Sequence, residues 1–323
     1  MKEYSWLQKR LHQFALSSQF MREVTFDAEK SLIRTNNDTH NHVFVVGLAR
    51  SGTTILLNAL YKSNEFASLL YKDMPFVLAP NLWSKLLLNI QDINVVERAH
   101  GDSIKISMES PEAFEEVFWM TFNEDDNDVQ EKFKSYIQII NKKYQKSRYL
   151  SKNNQNIKRL DLISKTFTKS KILIPFRNPL QQAYSLLSQH KRFINYSKKD
   201  KFISNYMKWI GHTEFGPNYI PIHQKDLTYE NDMDIHHWIE QWCLSYKNCF
   251  QILKLKDNIH FISYEELCSS KEYWLDILTM LEIENTYSYE FKESQKDIPI
   301  KVDDSIASNA LSLYMDLSNI ALR

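Results

Sequence analysis

The stretch from His42 to Leu60 constrains the fold of this chain more than any other. A short apolar run, residues 43–46, is followed by the loop GLARSGTT, residues 47–54, and then by apolar residues at helical spacing. This order predicts a strand, a glycine-containing loop and a helix. In such a loop, successive backbone N–H groups and the positive end of the helix can surround an anionic phosphate.

The spacing within the loop is that of a Walker A motif, with one difference. Gly47 and Gly52 are separated by four residues and Thr54 follows, but Thr53 stands where an ATPase carries lysine. The chain contains five glycines, and two of them lie in this loop. They are therefore expected where the backbone must approach a ligand closely or adopt a positive φ angle.

Composition argues against several classes of protein. The 323 residues include 40 Lys and Arg and 40 Asp and Glu, so the net charge is zero and a nucleic-acid-coating role is not indicated. The three cysteines form no CxxC pair, which gives no sign of a disulfide framework or a zinc site. No apolar run is long enough to span a membrane, and the N-terminus lacks the apolar core of a signal peptide. We therefore expect a cytoplasmic protein, and the sequence does not indicate its oligomeric state.

Short apolar runs alternate with helical patterns along the chain. Besides the strand at 43–46, we predict strands near Val24–Phe26 and over Phe66–Leu70, Arg148–Ser151, 171–176 and Ile259–Ser263. This alternation predicts an α/β fold of the P-loop type: a doubly wound, mainly parallel sheet flanked by helices.

Helical insertions interrupt this predicted core. Motif-bearing core segments lie at about 42–76, 148–190 and 258–267, and aromatic-rich helical segments at about 81–145 and 191–255 form a cap. There are no Gly/Ser linkers or repeats, so we predict one domain over residues 1–323. Ser110 and Pro111 fit a helix start, and Asn178 and Pro179 predict another helix that runs to His190.

Polar residues follow the predicted strands repeatedly. They are the loop 47–54, Asp73, Lys152, Arg177 and Tyr264. Since parallel strands end at a common edge where ligands bind, we expect these residues to lie near one another.

Arg177 separates two classes of phosphate-binding protein. A magnesium-dependent NTPase needs an Asp at the end of a strand such as 171–176 to hold its metal. Arg177 would instead repel a metal and attract a second phosphate. Ser185, in the helix that Asn178 caps, could supply a hydroxyl to that same phosphate.

The loop 47–54 together with FRNPLQQAYS, residues 176–185, resembles the pair of signatures of sulfotransferases that use 3′-phosphoadenosine-5′-phosphosulfate (PAPS). The similarity is closest to bacterial sulfotransferases and to the tyrosylprotein and heparan branches, whose first loop often contains Arg-Ser-Gly-Thr-Thr. It extends from about His42 to Leu267, and the cap segments are not diagnostic.

The resemblance implies a role for individual residues at the nucleotide. The 5′-phosphosulfate would be bound by the loop, through Arg50, Ser51, Gly52, Thr53 and Thr54. Arg177 and Ser185 would bind the 3′-phosphate, and Tyr264 is similar to a tyrosine near the nucleotide in the tyrosylprotein branch.

The resemblance also implies catalytic residues. Lys152 occupies the place of a lysine that contacts the transferring group, although it lies in Lys-Asn-Asn rather than Lys-Asp-Pro. Asp73 is the nearest match to a catalytic glutamate, and Arg50 with Lys152 would stabilise the departing charge. Other candidate bases are in the cap or at the end of a helix: His100, Glu109, Glu115, Glu116 and His190.

The sequence thus predicts a PAPS-dependent sulfotransferase that produces PAP, without a metal, on the hydroxyl or amine of a small-molecule or glycan acceptor that the cap would bind. Two alternatives remain open at this point. One is a P-loop kinase or other NTPase, and the other is a nucleotide-binding protein without catalytic activity.

Overall fold

The computed structural model describes residues 5–33, 41–87, 108–198, 201–253, 256–284 and 287–322. Within them, five strands form a sheet in the order β2-β3-β1-β4-β5. The strands are β1 (Val43–Val45), β2 (Phe66–Ala67), β3 (Arg148–Lys152), β4 (Lys171–Phe176) and β5 (Ile259–Ser263). Every neighbouring pair is parallel, so the prediction of a parallel α/β sheet is confirmed.

Helices surround this sheet. They are α1 (Trp6–Ser17), α2 (Gln19–Ser31), α3 (Thr53–Tyr61), α4 (Pro80–Leu87), α5 (Glu116–Trp119), α6 (Val129–Tyr144), α7 (Leu160–Thr166), α8 (Pro179–Ser197), α9 (Lys201–Trp209), α10 (Ile235–Leu253), α11 (Tyr264–Ser269), α12 (Lys271–Met280) and α13 (Asp304–Ile320). No helix in the described ranges is long and apolar enough to cross a membrane.

Both faces of the sheet are buried. Phe44 belongs to a large cluster that includes side chains of α6 and α10. Its neighbours Val43 and Val45 point to the opposite face and belong to a cluster with α3 and α12. Because successive side chains of a strand alternate between faces, a strand covered on both sides is apolar throughout, as residues 43–46 are.

Two local predictions from the sequence were wrong. Residues 24–26 lie inside α2 rather than in a strand, because Arg22, Phe26 and Glu29 recur at helical spacing and are all buried. Pro111 does not begin a helix. It forms an isolated antiparallel bridge with Leu70, and the next helix starts at Glu116.

The helix predicted after Asn178 is confirmed. The Asn178 side chain accepts hydrogen bonds from the N–H groups of Leu180 (3.1 Å) and Gln181 (3.2 Å), and Pro179 is the first helical residue. This helix, α8, continues beyond the predicted end to Ser197. Of the predicted cap, residues 88–107 with His100 lie outside the described ranges.

Candidate active site

The loop between β1 and α3 has an unusual backbone. Arg50 adopts a φ of +71° and Gly52 a φ of +97°, both in the left-handed region. A Cβ atom on Gly52 would lie 2.7 Å from Cδ2 of Tyr264, so only glycine lets the loop pass this ring. The loop is thereby held against the first residue of α11.

The start of α3 presents backbone donors. Gly52 is the N-cap residue and has no side chain with which to cap the first N–H groups. The Ser51 hydroxyl is buried and donates to the Leu48 carbonyl at 2.8 Å, and the Thr53 hydroxyl donates to Asn154 Oδ1 at 3.3 Å. Together with Thr54 in the first turn, these residues form a curved loop whose N–H groups can bind an anion.

Arg177 and Ser185 lie next to this loop. Arg177 is 5% exposed, and its guanidinium carbon is 4.9 Å from the centre of the Tyr264 ring. Arg50 Nε donates to the Ser185 hydroxyl at 3.0 Å. The structure therefore brings together the loop, Arg177 and Tyr264, which each follow a strand, and Ser185 of α8.

Two further cations, Arg192 and Lys296, accompany Arg50 and Arg177. The sequence analysis did not identify them. The pKa of Lys296 is lowered by burial and then by the positive charges of Arg50, Arg177 and Arg192. Neighbouring cations repel one another, and an anion bound among them stabilises the charged form of each. The cluster of Arg50, Arg177, Arg192 and Lys296 is called the cation cluster below.

Lys296 is held in the cluster by its backbone. Its N–H donates to Gln181 Oε1 at 3.0 Å, and Gln181 Nε2 donates to the Lys296 carbonyl at 2.9 Å. Tyr264 fixes the same segment, since its hydroxyl donates to the Lys292 carbonyl (3.2 Å) and accepts from the Ser294 N–H (3.1 Å). Burial raises the pKa of Tyr264 to about 12, so this phenol stays protonated near neutrality.

Lys152 is placed at the same edge of the sheet. It is the last residue of β3, it is 7% exposed, and it lies opposite Val45, which immediately precedes the loop region. The following Asn153 N–H donates to the Val45 carbonyl at 3.1 Å, and Asn154 contacts Thr53. The residues after β3 therefore line one side of the loop.

Asp73 lies in a different environment. It is completely buried, and Oδ1 forms an ion pair with Lys143 of α6. Oδ2 accepts from the Tyr144 hydroxyl (2.7 Å) and from the Leu70 N–H (2.8 Å). These contacts join α6 to the segment after β2 and favour a structural role, so the role of Asp73 as a base stays a prediction.

Two other candidate bases, Glu115 and Glu116, are also heavily engaged. Glu115 Oε1 accepts from Trp119 Nε1 (3.1 Å) and Asn156 Nδ2 (2.6 Å), and its Oε2 accepts from the Tyr149 hydroxyl (3.0 Å). Burial raises the pKa of Glu116 although Arg159 lies on both of its carboxylate oxygens, at 2.8 and 3.0 Å.

Glu109 and His190 differ from these two glutamates in their surroundings. Glu109 forms an ion pair with Lys72 at 2.6 Å, and its side chain is 66% exposed. His190 is buried in α8, where it accepts a hydrogen bond from the Gly216 N–H at 3.1 Å, and burial lowers its pKa. In the described part of the chain, no group of three or more His, Cys, Asp or Glu side chains is arranged to hold a metal ion.

Comparison with known proteins identifies the family of this chain. The model of the family described as "Sulfotransferase family" matches residues 42–286, which include the loop, Arg177, Ser185 and Tyr264. No curated protein matches the chain.

Solved structures of bacterial sulfotransferases are similar to this chain. Sulfotransferase STF1 from Mycobacterium tuberculosis H37Rv has a TM-score of 0.49 and 10% identity, over 97% of this chain and 84% of that one. Sulfotransferase STF9 from Mycobacterium avium has a TM-score of 0.47 and 12% identity, over 98% and 79%. The sulfotransferase domain of the Synechococcus PCC 7002 olefin synthase has a TM-score of 0.43 and 12% identity, over 87% and 97%. These scores are all below 0.5, so the assignment depends on the family model, which covers most of the sequence: the chain belongs to the sulfotransferase family.

Proposed function

We propose that this protein transfers a sulfuryl group from PAPS to the hydroxyl group of a small-molecule acceptor. The observation that carries the proposal is the meeting of two anion-binding features at one edge of the sheet: the loop 47–54 at the start of α3, and the cation cluster around Arg177. A donor with a 5′-phosphosulfate and a 3′-phosphate carries two anionic groups, one for each of these features.

The residues present fit such a donor. Backbone N–H groups of the loop, with Ser51, Gly52, Thr53 and Thr54, would bind the 5′-phosphosulfate. Arg177, Ser185 and Lys296 would bind the 3′-phosphate through charge-assisted hydrogen bonds. Arg50 contacts Ser185 from the loop and therefore connects the two positions.

Sulfuryl transfer requires an acceptor oxygen in line with sulfur, removal of its proton, and stabilisation of the negative charge that develops on the leaving phosphate oxygen. Arg50 and Lys152 would provide that positive charge. In this proposal the charge on the leaving group is balanced by side chains and backbone amides, without a metal.

The proposal is tested by calorimetry with PAP and with ATP, each with and without Mg²⁺, followed by transfer of ³⁵S from labelled PAPS. We expect PAP to bind tightly with or without Mg²⁺ and ATP to bind at least tenfold more weakly. Tighter binding of Mg·ATP than of PAP would instead support a kinase or NTPase. Tight PAP binding without transfer to any acceptor would indicate a nucleotide-binding protein without catalytic activity.

A further inference from the structure

A cleft lies against the phosphate-binding loop. Leu48 and Ala49 of the loop form part of its wall, together with Asn154, Leu186 and Glu214. Asn154 accepts a hydrogen bond from Thr53, and Leu186 follows Ser185 in α8. The cleft therefore borders the proposed donor site.

The opposite wall is largely apolar. Tyr219 and Trp238 line it, and their polar atoms are engaged by other residues: the Tyr219 hydroxyl is 2.6 Å from His237 Nε2, and Trp238 Nε1 donates to the Asp232 carbonyl at 2.9 Å. Such a wall favours an apolar acceptor over a sugar, which needs many hydrogen-bonding partners.

Two polar side chains stand out in this wall. Gln241 is 3% exposed; its Oε1 accepts from the Ile222 N–H at 3.0 Å, while its Nε2 forms no hydrogen bond within the described residues. The Glu214 side chain is 11% exposed, and its Oε2 is buried and accepts no hydrogen bond from any described residue. His212 Nδ1 lies 3.4 Å from this oxygen.

Glu214 differs in this respect from Asp73 and Glu115. Each of those carboxylates has both oxygens occupied by internal donors, whereas Glu214 lines the cleft beside the loop and its buried Oε2 accepts no hydrogen bond from the described residues. A general base needs an available lone pair within reach of the proton that it removes.

We propose that the cleft binds an apolar alcohol or phenol and that Glu214 Oε2 accepts its hydroxyl proton. This inference rests on the proposed function. As the acceptor oxygen bonds to sulfur, the bond from sulfur to the 5′-phosphate oxygen of PAPS breaks, and PAP leaves with the electron pair. The products are the sulfate ester, PAP and a protonated Glu214, which then releases its proton to solvent.

The test uses the full-length protein, labelled PAPS and three apolar probes: 2-naphthol, the more acidic 4-nitrophenol, and 1-decanol. We expect transfer to at least one probe, and Glu214→Gln should lower kcat for 2-naphthol by about 100-fold or more, with PAP affinity unchanged. The loss should be smaller for 4-nitrophenol, because a more acidic phenol depends less on a base. Glu230→Gln, which changes an exposed carboxylate in the same segment, should leave kcat unchanged.

A second variant tests the cleft itself. Ile222→Trp fills part of it and should raise KM for the probes at least tenfold while PAP still binds, which also shows that the variant is folded. Failure of the wild-type protein to bind PAP would overturn the proposed function. With PAP bound, transfer to none of the three probes, or an equal loss for both phenols in Glu214→Gln, would overturn this inference alone.

Discussion

The donor side and the acceptor side of the proposed centre are built in different ways. The donor side consists of the loop after β1, of Arg177 and Tyr264 directly after β4 and β5, and of two further cations, Arg192 of α8 and Lys296 of the segment 287–303. The acceptor cleft consists mainly of apolar side chains from α8, α10 and the irregular segment between α9 and α10. In this proposal, residues at the ends of the strands bind the donor. Residues of helices and irregular segments determine the shape of the acceptor cleft.

Asp73→Asn tests whether Asp73 is a structural residue or the base that acts on the acceptor. It should have the largest effect on stability. Removing the charge leaves Lys143 buried without its ionic partner, which should lower the free energy of unfolding by about 3 kcal/mol. Denaturant unfolding measures this, and assays at a temperature where the variant is folded should show retained turnover. Unchanged stability with lost turnover would show that Asp73 is the base, as the sequence predicts.

A matched pair of glycine substitutions separates the two sides. In Gly52→Ala the new Cβ meets the Tyr264 ring at 2.7 Å and the φ of +97° becomes strained, so PAP affinity should fall about 30-fold, or about 2 kcal/mol. In Gly216→Ala the Cβ meets Phe193 Cβ at 2.9 Å, in the segment between Glu214 and Tyr219 of the cleft, so KM for the acceptor should rise while PAP affinity does not change. Equal effects of both variants on PAP binding would contradict the division.

Lys296→Ala should have a smaller effect, confined to the donor side. Removal of one exposed cation from the cation cluster should weaken PAP binding about tenfold, and the difference should shrink at high salt. The control is Lys292→Ala, in the same segment, whose side chain is 80% exposed and pairs with Glu290. Calorimetry at two salt concentrations distinguishes the variants, and equal losses in both would remove Lys296 from the site.

The sequence located the loop, Arg177 and the start of α8 because the signals there are local. The spacing of Gly47 and Gly52, the strand before Arg177 and the cap at Asn178 are each set within a few residues, and the structure brings these features together. The parallel sheet is confirmed for the same reason, since an apolar run followed by a helical pattern specifies each unit.

Other parts depend on contacts between distant residues. Lys296 reaches the site because Gln181 binds its backbone, and Glu214 lies in an irregular segment with no periodic pattern. The strand predicted near Val24 was wrong because β-branched Val24 and Thr25 suggested a strand, whereas burial of Arg22, Phe26 and Glu29 selects a helix. Neither the place of Lys296 nor that of Glu214 has a local signal.

The central claim is that Arg177 binds a second phosphate of the donor. Its most direct test is calorimetry of PAP and of AMP, which lacks the 3′-phosphate, with the wild-type protein and with Arg177→Ala. We expect the wild type to bind PAP about 100-fold more tightly than AMP, and the variant to bind the two ligands within a few-fold of each other, with AMP affinity little changed. Equal binding of PAP and AMP by the wild type, or the same preference for PAP in Arg177→Ala, would contradict the claim.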